Sequence, residues 1–108
     1  MNKKIVFLVS GGGGTLRFMH KALLELRNNI SIAGVIADRE CEAYTYGIAN
    51  KIPTSIVKYS QSNPNQLAVE LRKLSPDLII TNIHKIIDKE TLNEFKGRFL
   101  NLHYSLLP

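Results

Sequence analysis

The chain has 108 residues, 44% hydrophobic and 21% charged, a balance that suits one small globular domain and excludes a largely disordered chain. Its formal net charge of +5 suits anionic partners, but the basic residues are scattered, with no run longer than Lys3-Lys4, so nucleic acid is not an expected partner. The one cysteine, Cys41, excludes an internal disulfide framework and a cysteine-rich zinc site, and fits a reducing cytoplasm.

In chain order, the apolar run over 4–9 opens the sequence and ends in four glycines. It is too short, and too poor in a cleavage pattern, for a signal peptide. No stretch approaches the roughly 20 apolar residues of a membrane helix, so no membrane partner is expected. The run is β-branched and apolar on both faces, as a buried parallel strand requires. A helix follows over 15–28, with an apolar stripe at Leu16, Met19, Ala22, Leu23 and Leu26. Its polar side carries His20, which is expected to face solvent. A second strand covers 30–37 and a second helix 42–51, which breaks at Ile52-Pro53. A short third strand at 54–57, a polar loop over 60–65 and a third helix over 66–74 come next. Pro64 suits that helix's first turn, and Ser75-Pro76 stops it. The fourth strand is 77–81, Asp88 is a good N-cap for a helix running to Phe95, and Gly97 fits that helix's end. The fifth strand is 99–102.

Five strands alternating with four helices predict an α/β fold, a doubly wound parallel sheet in a three-layer αβα arrangement with the first strand central. No repeat or linker divides residues 1–108, which are expected to form one domain. The stop at Leu106-Leu107-Pro108, just after a strand, suggests a domain that is truncated after the fifth strand. In such sheets ligands bind outside the carboxyl ends of the strands. Three segments are expected there: 10–15, 82–87 and 103–108.

Ser10-Gly11-Gly12-Gly13-Gly14-Thr15 joins the first strand to the first helix. Glycines allow a sharp turn and close backbone approach, and a helix start presents N–H groups and a positive dipole end, so the loop suits a phosphate. It is neither a Walker A loop nor a complete dinucleotide fingerprint, because the third glycine position falls on Leu16. Asp38, at the end of the second strand, stands where a ribose-binding acid would sit.

The stretch Asn101-Leu102-His103 closes the fifth strand. Alternation puts Asn101 and His103 on one side of the strand end. An amide donor beside an imidazole suits acyl transfer: the amide can stabilise an oxyanion, and the imidazole can do the same or pass a proton to a leaving nitrogen.

Asn101-Leu102-His103-Tyr104-Ser105-Leu106-Leu107-Pro108 resembles the Asn-(Ile/Val)-His-x-Ser-(Leu/Phe)-Leu-Pro signature of the 10-formyltetrahydrofolate-dependent formyltransferases. Gly97-Arg98-Phe99-Leu100, Lys85-Ile86-Ile87 and Pro76-Asp77-Leu78-Ile79-Ile80 are similar to further segments of that family. Val9-Ser10-Gly11-Gly12-Gly13-Gly14-Thr15-Leu16 resembles the loop of its glycinamide branch. The resemblance spans nearly the whole chain. It departs at Gly14 and Thr15, where Ser and Asn are usual, and at His84 and Lys85, where Met and Arg are usual. Tyr104 replaces a residue that is commonly Pro, His or Gly.

The resemblance implies a Rossmann-like formyltransferase fold. It also implies formyl transfer from 10-formyltetrahydrofolate, as co-substrate, to the amine of a phosphorylated small molecule, phosphoribosylglycinamide, in purine biosynthesis. Gly13, Gly14 and Thr15 would hold the phosphate; His84, Lys85, Ile86 and Ile87, with Asn101, would line the folate pocket; Asn101 and His103 would be catalytic. No metal is implied. The family's catalytic aspartate lies beyond the signature, so the 108-residue segment alone is expected to be a poor catalyst. Asp88 is read as a cap rather than its substitute. The alternatives are a formyltetrahydrofolate deformylase or another amine formyltransferase of the family, a nucleotide-binding domain of an oxidoreductase, and a non-catalytic fragment. Self-association is left open.

Overall fold

The apolar run behind Lys3-Lys4 becomes the middle of the sheet. The computed structural model of the chain describes residues 2–26, 29–58, 65–83 and 87–101. Within them lie β1 (Lys3–Val9), α1 (Gly14–Glu25), β2 (Ile30–Ala37), α2 (Glu42–Ala49), β3 (Thr54–Ile56), α3 (Asn65–Leu74), β4 (Leu78–Asn82), α4 (Lys89–Glu94) and β5 (Phe99–Asn101). The strands form one sheet in the order β3-β2-β1-β4-β5, and every pairing is parallel. The expected doubly wound sheet with β1 at its centre is therefore present.

The period-2 alternation of β1 sorts its side chains into two cores. Ile5, Phe7 and Val9 pack with Leu16 of α1 and Ala43 of α2. Val6 and Leu8 pack on the opposite face with Leu67 and Leu71 of α3 and with Phe95 behind α4. These are the three layers. Burial on both faces explains why β1 reads as a continuous apolar run rather than an alternating one.

The helix ends have local causes. Gly13 takes a left-handed φ of 72° and turns the chain into α1. The helix closes earlier than the apolar stripe predicts: Leu26 is extended at φ −90°, ψ 118° and is largely exposed, so it leaves the stripe instead of completing it. Likewise α2 ends at Ala49, because Lys51 adopts a φ of 59° before Ile52-Pro53. Asp88 caps α4 as expected, accepting from Thr91 N at 3.0 Å and from Thr91 Oγ1 at 2.7 Å. Gly97, at φ 82°, turns the chain out of that region into β5. A bidentate pair from Arg72 to Glu94, at 2.6 and 2.7 Å, ties α3 to α4.

The Asp88 cap holds the hydroxyl of a fully buried Thr91 as well as a backbone N–H. Asp88→Ala is expected to cost about 1–2 kcal/mol, the upper range for a lost cap, since a buried hydroxyl also loses its acceptor. Denaturant unfolding measures it; an unchanged midpoint would show that the cap contributes nothing.

Candidate active site

Strand order reverses between β1 and β4, because β1 leads outward through β2 to β3 while β4 and β5 lie on its other side. In doubly wound sheets this reversal opens a crevice at the carboxyl ends of the strands. The glycine loop stands on one side of it. Gly11 O accepts from Ala43 N at 3.0 Å, and Gly13 O accepts from Arg17 N at 2.9 Å, so the loop is pinned to the starts of both α2 and α1. A Cβ on Gly13 would fall 2.7 Å from the Ala43 Cβ, which leaves no room for a side chain. A Cβ on Gly11 or Gly14 would meet nothing within 4 Å, so the backbone there is open to approach. The N-cap residue of α1, Gly13, brings no side-chain cap, and the first turn holds no acidic residue. At the root of the loop, the buried Ser10 hydroxyl has no hydrogen-bond partner among the described residues. A helix start that opens on glycines fits an anionic ligand.

At the end of β2, Asp38 is 3% exposed, and its carboxylate accepts a fork from Arg39, Nε to Oδ1 and Nη2 to Oδ2, both at 3.1 Å. That hydrogen bond, and then the charge of Asp38, raises the Arg39 guanidinium above its ordinary pKa. A ribose-binding acid must present its oxygens to the ligand, whereas the Asp38 side chain is fully buried and paired with Arg39. The burial and pairing of Asp38 count against the dinucleotide-binding oxidoreductase reading.

On the other side of the crevice, Thr81 on β4 and Asn101 on β5 are partners in register. Thr81 Oγ1 donates to Asn101 Oδ1 at 3.0 Å. Thr81 is 4% exposed, whereas Asn101 is exposed at the strand end. Sequence reasoning singled out Asn101 but passed over Thr81. The available signal was a hydroxyl closing an otherwise apolar buried strand, Leu78-Ile79-Ile80-Thr81. Ile87 is half-buried and packs against the core beneath α3 and α4. The other expected site residues, His84, Lys85, Ile86 and His103, lie outside the described residues, as do Leu102 and 104–108.

His20 does not face solvent as expected. It is half-buried, its Nδ1 lies 2.6 Å from the Tyr46 hydroxyl, and the two rings meet edge to face. An open groove of about 510 Å³ nearby is lined by Arg17, Cys41, Glu42, Thr45 and Tyr46. It adjoins the glycine loop, since the Glu42 carboxylate reaches within 3.8 Å of where a Cβ on Gly12 would lie, and its Arg17 and Glu42 charges pair at 3.9 Å. The candidate site is the carboxyl edge of the sheet, where the glycine loop ends β1 and the Thr81–Asn101 pair ends β4 and β5.

Residues 3–108 match the family model described as formyl transferase. The chain belongs to the formyl transferase family. It is 28% identical to the chloroplastic phosphoribosylglycinamide formyltransferase of Arabidopsis thaliana over 98% of this chain and 39% of that protein. The phosphoribosylglycinamide formyltransferase structure from Coxiella burnetii superposes with a TM-score of 0.87 at 27% identity, covering all of this chain and 54% of the other. A formyltetrahydrofolate deformylase from Pseudomonas putida shares the fold, with a TM-score of 0.84 at 18% identity, over all of this chain and 40% of that one. The chain thus resembles the amino-terminal part of phosphoribosylglycinamide formyltransferases and spans about half or less of these relatives' lengths. No described helix is long and apolar enough to cross a membrane.

Proposed function

We propose that the protein transfers a formyl group from 10-formyltetrahydrofolate to the amine of phosphoribosylglycinamide. The observation that carries this reading is the pair of strand ends: a glycine loop that opens α1 after β1, and an amide on β5 whose carbonyl is held by Thr81. One strand, β4, separates them, so they stand two strand spacings apart, about 10 Å. An extended phosphoribosyl amide can bridge that span with its phosphate at the loop and its amine at Asn101.

Gly13, Gly14 and Thr15 hold the phosphate through backbone N–H groups. His84, Lys85, Ile86, Ile87 and Asn101 contact the folate. The amine nitrogen attacks the formyl carbon, and negative charge grows on the formyl oxygen. The Asn101 N–H groups and His103 stabilise that charge. As the carbon–nitrogen bond to the folate breaks, His103 supplies the proton that the departing nitrogen needs, and the attacking amine loses one. A cytoplasmic setting accords with the single cysteine.

The test supplies 10-formyltetrahydrofolate to the full-length protein with and without phosphoribosylglycinamide. Tetrahydrofolate and formylated amine are expected to appear together, and only when the amine is present. Amine-independent release of formate would assign a deformylase instead, and no turnover of the folate would overturn the reading.

A further inference from the structure

We propose that Thr81 is a positioning residue that selects which end of the Asn101 amide faces the reacting formyl group; the inference rests on the formyl-transfer reading above. An asparagine amide has nearly the same shape when rotated by half a turn, but the rotation exchanges a donor for an acceptor. At an oxyanion the difference is decisive. Nδ2 donates to the growing negative charge, whereas Oδ1 in its place sets a lone pair against it.

The fold supplies a means of choosing. Thr81 is the last buried residue of β4, on the face that packs under α3 and α4, and its strand partner in register is Asn101. Its backbone is committed to the sheet, pairing with β1 on one side and β5 on the other. The hydroxyl proton of such a residue must find an acceptor, because a buried donor without one is costly. It is given to Asn101 Oδ1 at 3.0 Å. Rotating the amide would withdraw that acceptor from the buried hydroxyl. The bond therefore holds the carbonyl end of Asn101 toward β4 and orients Nδ2 as the donor end.

Thr81→Val keeps the shape of the side chain and removes the hydroxyl; Thr81→Ser keeps the hydroxyl. In the full-length protein Thr81→Val is expected to lower kcat about tenfold, the scale of one lost orienting hydrogen bond, with KM for the phosphorylated amine nearly unchanged. Thr81→Ser restores most of the rate. In an Asn101→Ala background, Thr81→Val adds little further loss, since it acts through a side chain already removed. An equal loss in that background, or an unaltered kcat in Thr81→Val, overturns the proposal while leaving formyl transfer standing. A readout independent of activity is the NMR signal of the Asn101 side-chain amide, expected to shift in Thr81→Val and return in Thr81→Ser. Should the protein turn out to transfer no formyl group, that shift still decides whether Thr81 orients Asn101, and an unmoved signal sinks the proposal.

Discussion

Replacing Asn101 or His103 with alanine is expected to lower turnover by about 10²-fold or more in the full-length protein, the cost of one lost oxyanion donor. The size follows from where the charge develops. A neutral formyl oxygen becomes an oxyanion when the amine adds, so a fixed donor contributes most in the transition state and little in the ground state. For Asn101, the 3.0 Å bond from Thr81 would pre-orient the proposed donor and spare it reorganisation during reaction. In the proposed mechanism His103 also protonates the departing folate nitrogen. Binding of the phosphate end should hardly change, because the glycine loop lies two strands away on β1. The pattern to look for in steady-state kinetics is a fall in kcat with KM for the phosphorylated amine little altered. Full activity in His103→Ala would remove the imidazole from the mechanism, and with it the formyl-transfer assignment of this site.

The largest effect on stability is expected from Gly13→Ala. Gly13 adopts φ 72°, ψ 31°, where an L side chain costs about 1–2 kcal/mol. The new methyl would also meet the Ala43 Cβ at 2.7 Å and the Ala43 Cα at 3.0 Å, both belonging to a packed helix that cannot easily give way. Overpacking of this kind adds about 1–3 kcal/mol. Thermal unfolding should therefore begin many degrees lower, and the loop should lose its register against α2. Gly14→Ala is the informative contrast: Gly14 has a negative φ in the first turn of α1, and a Cβ there meets nothing within 4 Å. That variant should keep its stability, so any weakening of phosphate binding would report on the approach of the ligand rather than on folding. A Gly13→Ala protein as stable as its parent would show that the loop is free to rearrange.

Much of this architecture follows from signals that act within a few residues of where they are read. The buried run of β1, the stripe of α1, the Asp88 cap and the Gly97 turn each depend on near neighbours, and each element formed within a few residues of its expected place. Where the boundaries moved, at Leu26 and Lys51, the backbone left the helix before the apolar pattern ran out. Asn101 could be placed at a strand end for the same local reason.

The partners of the site residues are of a different kind. Thr81 and Asn101 are 20 residues apart, His20 and Tyr46 are 26 apart, and neither pair follows from the periodicity of its own segment. The Asp38 carboxylate had the position of a ribose ligand, yet the packed chain buries it and pairs it with Arg39. By itself the sequence determined which segments are strands and helices, that a glycine loop opens the first helix, and that an amide closes the fifth strand. Only the tertiary structure decided that Thr81 faces Asn101 and that Asp38 is covered. Parallel strands joined through helices acquire their register from packing across the whole sheet, and that register, not local propensity, sets which side chains meet.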